Sequence, residues 1–295
     1  MSKHSSTSLA VKTRRLEKRL KNLGGAVVAF SGGVDSTFLA AVAHEALGDN
    51  AIAVTARSPT FPRSEQKDAA RLARRIGIRQ VWIDTHELDN PRFSANPVNR
   101  CYFCKMELFR RLTAIARRHK LRAVVDGSNV DDLRDTRPGR RAAGQCGVLS
   151  PLCEAGFTKS DIRRASKSMG LSTADKLAQA CLASRFPYGS AITSRGLATV
   201  ARMEEALRRR GFRQVRVRHY GLSARIEVDR ADLRRLCSEP VKFLILKLGK
   251  RQGFVYITAD LDGYRTGSMN LIFSGFAGKI ISTLSTRNCQ EKQEN

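Results

Sequence analysis

The residues best suited to chemistry form one run, Ser31-Gly-Gly-Val-Asp-Ser-Thr37, set between a short apolar stretch and a helical pattern. Gly32 and Gly33 let the backbone turn tightly, so that successive N–H groups can point at one phosphate. Ser36 and Thr37 add hydroxyl donors, and the start of the following helix adds a partial positive charge. Asp35 is repulsive towards polyphosphate unless a cation intervenes, and magnesium is the natural one. Ser31, Gly32, Gly33, Asp35, Ser36 and Thr37 are therefore candidate phosphate contacts, with Asp35 as the candidate magnesium ligand. No Gly-Lys-Ser/Thr follows a four-residue spacer, so the run is not a Walker A loop.

The run resembles the SGGxDS signature of the PP-loop ATP pyrophosphatases. Further segments narrow the resemblance: Asn99-Arg-Cys-Tyr-Phe-Cys-Lys105, Asp126-Gly-Ser-Asn-Val-Asp-Asp132, Arg137-Pro-Gly139, Ser150-Pro-Leu152 and Ala180-Cys-Leu-Ala-Ser-Arg-Phe-Pro-Tyr-Gly189. Beyond them come Arg216-Val-Arg218, Ala224-Arg-Ile-Glu-Val228 and Asp262-Gly-Tyr-Arg-Thr-Gly-Ser-Met-Asn270. Together they resemble the LarE family of ATP-dependent sulfur transferases, which help make the nickel-pincer nucleotide. The resemblance implies a pyridinium mononucleotide substrate bearing two carboxylates. It further implies ATP and Mg2+ as cofactors, carboxylate adenylation with loss of pyrophosphate, and displacement of AMP by sulfur. Gly127 is carried over as a further ATP contact. Cys181 matches the sulfur-donor position, and the sacrificial members of the family turn that cysteine into dehydroalanine.

Cys181 lies near Lys176 and Arg185 in sequence, and nearby cations raise a thiol's thiolate fraction. Cys101 and Cys104 have the spacing that closes two positions of a zinc or iron–sulfur site. With Cys181 they make three thiolates, leaving one iron of a [4Fe–4S] cluster open to carry an extra sulfide. Three readings stand: cluster-borne sulfur, a sacrificial Cys181, or zinc or idle thiols. Zinc would need a fourth ligand from His86, Cys146 or Cys153. Cys146, Cys153, Cys237 and Cys289 fit no functional pattern. Arg216 and Arg218 share one face of an alternating strand and suit a phosphate. Glu227, with Glu204, resembles acidic positions near the family's substrate and metal site.

These groups need a scaffold. Apolar runs at Gly25–Phe30, 51–56, 79–84 and 121–125 alternate with helical patterns at 36–47, 64–76 and 105–119, after an opening helix carrying Leu16, Leu20 and Leu23. The alternation predicts an α/β fold, a doubly wound parallel sheet of the PP-loop (adenine nucleotide α-hydrolase-like) type. Residues 131–147 read as a polar loop, and Thr158-Lys-Ser-Asp161 as a capping box. After Pro187-Tyr188-Gly189 the rhythm changes. A helix near 194–210 precedes strands at 214–219, 224–229 and 253–258, predicting a smaller C-terminal α+β domain. The expected division is 1–187 for ATP binding and adenylation and 188–295 for substrate and oligomerisation. The last dozen residues are expected to fray.

The 295 residues include 53 Lys+Arg and 27 Asp+Glu, a formal net charge of +26, and 42% of them are hydrophobic. Such a chain can bury a core and is not compositionally disordered. Residues 1–150 hold 27 basic and 14 acidic side chains and residues 151–295 hold 26 and 13, so no basic tail accounts for the excess. The field favours anionic partners. No run is long enough to span a membrane, and the opening residues lack a signal peptide's apolar region. With seven cysteines, that favours a cytoplasmic protein with metal-binding or reactive thiols over disulfides. The resemblance also implies a homo-oligomer working beside other nickel-pincer pathway proteins. A PP-loop tRNA thiolase is the alternative enzyme and an RNA-binding module the alternative class. Low aromatic content, 6%, disfavours the latter. NAD and GMP synthetases share the ATP loop but leave the three cysteines unexplained.

Overall fold

The computed structural model describes residues 3–134, 138–177 and 179–269; Arg137, Asn270, Cys289 and the terminal dozen residues lie outside them. The strands are β1 (Ala26–Ala29), β2 (Ala51–Arg57), β3 (Arg79–Asp84), β4 (Ala123–Val125), β5 (Val215–Tyr220), β6 (Ser223–Val228) and β7 (Tyr256–Ala259). The helices are α1 (Lys3–Leu23), α2 (Val34–Leu47), α3 (Arg63–Ile76), α4 (Pro91–Ser94), α5 (Arg100–Arg118) and α6 (Pro138–Gln145). They continue with α7 (Pro151–Glu154), α8 (Lys159–Ser168), α9 (Ser194–Arg209), α10 (Leu233–Leu236) and α11 (Val241–Arg251). The chain divides into two compact units, residues 1–183 with 188–198, and 184–187 with 199–295.

In the first unit four parallel strands stand in the order β3-β2-β1-β4. Helices cover both faces, which is why the strands are near-continuous apolar runs. Leu16, Leu20, Val28, Phe38, Leu39, Phe157 and Ile162 fill one side, bringing α1, α2 and α8 together. Val27, Ile52, Val54, Phe109, Leu112, Val124 and Ala142 fill the other, under α5 and α6. Val27 and Val28 thus face opposite layers, as the strand period of two requires. The capping box forms at α8: the Thr158 side chain accepts from Asp161 N, and Asp161 accepts from Thr158 N.

Two local expectations change. The span 131–147 is not all loop: a 3-10 turn at Val130–Arg134 is followed by α6, whose buried Ala142 and Ala143 close the lower layer. Helix α5 begins at Arg100 rather than Lys105, so Cys101 and Cys104 sit on its first turns. One local and one long-range contact hold that early start. Arg100 Nη1 donates to Asn96 Oδ1 at 2.9 Å, and its guanidinium lies 4.7 Å from the Tyr188 ring centre.

In the second unit β5 and β6 pair antiparallel and β6 and β7 parallel. Phe212, Val215, Val217, Ile226, Val228, Leu236, Ile245 and Phe254 are buried there.

Leu20→Ala is expected to cost about 2–5 kcal/mol of unfolding free energy in urea titration, through the cavity it leaves. Thr158→Ala should cost about 1 kcal/mol, the worth of an N-cap.

Candidate active site

The four parallel strands end on one edge of the sheet, where open α/β sheets bind ligands. Beyond β1, Ser31-Gly32-Gly33 turns the chain into α2. Gly32 has φ +71°, and a Cβ there would lie 3.1 Å from Ala69 Cα on α3. Position 32 therefore favours glycine, for conformation and for space. Gly127, after β4, meets the same turn: a Cβ would lie 3.0 Å from Ser36 N and 3.2 Å from the Asp35 carbonyl carbon. Ser36 Oγ donates to Gly33 O (3.2 Å) and accepts from Ser31 N (3.3 Å), bracing the turn from inside.

Two buried atoms at this helix start have no partner among the described residues: Asp35 Oδ1 and Thr37 Oγ1. Burial raises Asp35 above its ordinary value, outweighing its ion pair with Lys159. A divalent cation would reverse that balance. An orphaned carboxylate oxygen beside a phosphate-type turn thus fits magnesium held through Asp35. Lys159 was not singled out by motif, because the capping box reads as purely structural. Being the first residue of α8, it is aimed by that cap, and its ammonium reaches Asp35. Asp126, at the end of β4, is likewise braced, accepting from Ser150 Oγ at 2.7 Å and Ser128 Oγ at 2.8 Å.

A cavity of about 340 Å³ opens on this edge. Ser31, Gly33, Asp35, Ser36 and Gly127 line one part, and Cys101, Cys104 and Cys181 another. Residues far apart in sequence therefore share one space. Cys101 is exposed, while Cys104 and Cys181 are half-buried by residue. Burial pushes the Cys104 thiol well above its usual range, and Glu87 and the other two thiols add to the rise. Leu182 N, next to Cys181, donates to Thr60 O at 2.8 Å. Among the described residues, no set of three or more His, Cys, Asp or Glu side chains is arranged to hold a metal ion. Lys176, expected beside Cys181, directs its ammonium to Glu65 (2.7 Å) and Gly32 O (3.2 Å), bracing the phosphate turn. A smaller cavity of about 190 Å³ adjoins that turn between Lys159 and Lys176.

In the second unit Arg216 and Arg218 are 2% and 5% exposed, within a buried guanidinium–carboxylate cluster. Arg218 makes a two-toothed pair with Glu227 (2.9 and 2.6 Å), and Arg225 and Ser268 also reach Glu227. A metal could take Glu227 only by displacing these donors. Arg185, expected near the donor thiol, is fully buried and pairs with Glu204 at 2.7 and 2.9 Å. Burial alone would raise Glu204, but Arg185, Arg208 and Arg216 hold it below the usual carboxylate range. Burial, with Arg185 close by, pushes Arg216 down to about 10.

Gly32→Ala should abolish ATP binding, read by equilibrium dialysis, because the turn must open. Glu204→Gln should cost about 3–5 kcal/mol of unfolding free energy in urea titration by leaving buried arginine charge uncompensated. Since its folded pKa is depressed, the Glu204 contribution is present above the unfolded carboxylate value, about 4.3. It should fall away as pH drops through the lower folded value, and the variant should lack that part of the acid transition.

Residues 10–100 match the NAD synthase family, whose span holds the phosphate turn. The chain is 44% identical over 266 residues to an uncharacterised protein of Synechocystis, covering 88% of this chain and 99% of that one. It is 37% identical over 266 residues to the pyridinium-3,5-bisthiocarboxylic acid mononucleotide synthase of Lactiplantibacillus plantarum, covering 89% of this chain and 95% of the synthase. A shorter match, 42% over 66 residues, joins it to the NH3-dependent NAD+ synthetase of Finegoldia magna. With the phosphate turn and the three cysteines on one cavity and a match this long, the chain belongs to the LarE family of pyridinium-3,5-bisthiocarboxylic acid mononucleotide synthases.

Proposed function

We propose that this protein is an ATP-dependent sulfurtransferase converting the carboxylates of pyridinium-3,5-biscarboxylic acid mononucleotide to thiocarboxylates for the nickel-pincer nucleotide. The observation that carries the reading is the single cavity lined by both the phosphate turn and Cys101, Cys104 and Cys181. An adenylating site and a sulfur source must share one space, because an acyl-adenylate released to water would hydrolyse. No tRNA-thiolating relative accompanies the synthase match, and an RNA substrate is not part of the reading.

In this reading Ser31, Gly32, Gly33, Ser36 and Thr37 hold the ATP phosphates, with Gly127 allowing close approach behind them. Asp35 holds Mg2+, and Lys159 moves from Asp35 towards the phosphates. A substrate carboxylate attacks the α-phosphorus, and pyrophosphate leaves. Sulfur then attacks the acyl carbon, and AMP leaves with the bonding pair. Arg216 and Arg218 are assigned to the anionic substrate; both are buried, and Arg218 would have to leave Glu227 to meet it. Glu227 is a weaker metal candidate for the reason given above.

Cys101, Cys104 and Cys181 line one cavity and are the residues that would hold a [4Fe–4S] cluster, but their side chains would first have to converge, since as placed they form no metal-holding set among the described residues. Such a cluster would supply sulfide as the transferred sulfur. Without it, the Cys181 thiolate forms the thioester itself. Loss of its α-proton then expels the thiocarboxylate and leaves dehydroalanine. Among the described residues no helix is long and apolar enough to cross a membrane. The reading places the enzyme in the cytoplasm as a homo-oligomer, acting beside the other proteins of cofactor synthesis.

Cys181→Ala is expected to keep substrate-dependent ATP–pyrophosphate exchange and to form no thiocarboxylate; undiminished product would remove Cys181 from the mechanism. Protein purified without oxygen should absorb broadly in the visible range and carry iron, both lost in Cys101→Ala. Mass spectrometry of the Cys181 peptide after turnover separates the two sulfur sources. An unchanged mass supports cluster delivery, and loss of one H2S equivalent shows that Cys181 gave its own sulfur.

A further inference from the structure

Glu87 is 2% exposed and begins the 3-10 turn Glu87–Asp89 that follows β3. Its backbone is held on both sides. Thr85 N donates to Arg57 O at 3.1 Å, and His86 N to Glu107 Oε1 on α5 at 2.8 Å. From this fixed base the carboxyl reaches across to the loop after β2. Oε1 accepts from Thr60 Oγ1 at 2.8 Å and also from Ser58 Oγ. Ser58 Oγ lies 2.7 Å from Thr60 Oγ1 and accepts from Thr60 N at 3.0 Å. The turn at 58–60 is therefore closed on itself and tied to one carboxyl oxygen. Its outward carbonyl, Thr60 O, is the acceptor for Leu182 N at 2.8 Å.

This chain of bonds ends next to Cys181. We infer that Glu87 is a positioning residue for sulfur delivery, clamping the Ser58–Thr60 turn so that its carbonyl holds the Cys181–Leu182 peptide at the cavity wall. Both Thr60 and Cys181 line that wall. Glu87 Oε2 is buried without a partner among the described residues. A half-satisfied buried carboxyl is costly. Such a cost marks a residue kept for placement rather than for stability. The inference rests on the reading of Cys181 as the sulfur-delivering residue. Misplacement of a reacting group by about 1 Å costs roughly 10²-fold in rate, so a loosened turn should be visible in the transfer step.

The test compares Glu87→Leu, which cannot accept a hydrogen bond, with Glu87→Gln, whose amide oxygen can take both hydroxyls. Thr60→Val, which keeps shape and removes one hydroxyl, covers the case in which the leucine variant does not fold. Substrate-dependent ATP–pyrophosphate exchange, thiocarboxylate formation and the rate of Cys181 alkylation relative to exposed Cys237 are measured on each full-length protein as purified. The expected pattern is a loss of thiocarboxylate formation of roughly 10²-fold in Glu87→Leu. Exchange should be retained, the alkylation ratio should shift, and Glu87→Gln should restore all three to wild-type levels. Thr60→Val should move transfer and alkylation in the same direction as the leucine variant. An unchanged alkylation ratio in both Glu87→Leu and Thr60→Val, or an equal fall of exchange and transfer, would overturn the inference. If Cys181→Ala still forms product, the donor reading fails separately, while the alkylation ratio still reports whether Glu87 positions the thiol.

Discussion

Backbone meets backbone at the start of α2, and the rest of the catalytic edge is arranged around that contact. The turn after β1 lies against α3 at Ala69, and the turn after β4 lies against Asp35 and Ser36. A side chain at Gly32 or Gly127 would press on the facing backbone, which would have to give way. The result is a tightly packed turn at a helix N-terminus, a place that favours negative charge. Everything else aims groups into it. The α8 cap points Lys159, Lys176 braces the Gly32 carbonyl, and the β4 turn fixes Asp126.

Charge is handled differently in the two units. Around the glycine turn the ion pairs are partly exposed, Lys159–Asp35 having 34% and 24% side-chain exposure, so they can exchange partners at little cost. Around Glu204 and Glu227 the carboxylates are fully buried and held by several arginines. Breaking such a pair is expensive even though forming it gains little, so that cluster fixes geometry.

Most of the scaffold is legible in the sequence because its determinants are local. Strand β3 is read to the residue, and α2, α3 and α9 to within about two residues of their ends, because period and composition agree there. The α8 capping box needs only four adjacent residues. Two features were not legible. Helix α5 starts at Arg100, whose guanidinium packs on Tyr188, a residue far along the chain. Helix α6 forms in an Arg- and Gly-rich stretch because Ala142 and Ala143 find a buried surface. Glu87 was invisible for the same reason: nothing beside it in sequence announces Ser58 and Thr60.

By itself the sequence determined the glycine turn at 31–37, the spacing of its cysteines and the alternation that makes a parallel sheet. These depend on residue type and short spacing, where glycine conformation, thiol chemistry and side-chain period act alone. Only the tertiary structure decided that Cys101, Cys104 and Cys181 share a cavity with Ser31 and Asp35. It also decided that Lys176 and Arg185, neighbours of Cys181 in sequence, pair with Glu65 and Glu204. The physical reason is that a buried or half-buried charge goes to whichever opposite charge the fold brings within reach, and sequence distance does not measure that reach.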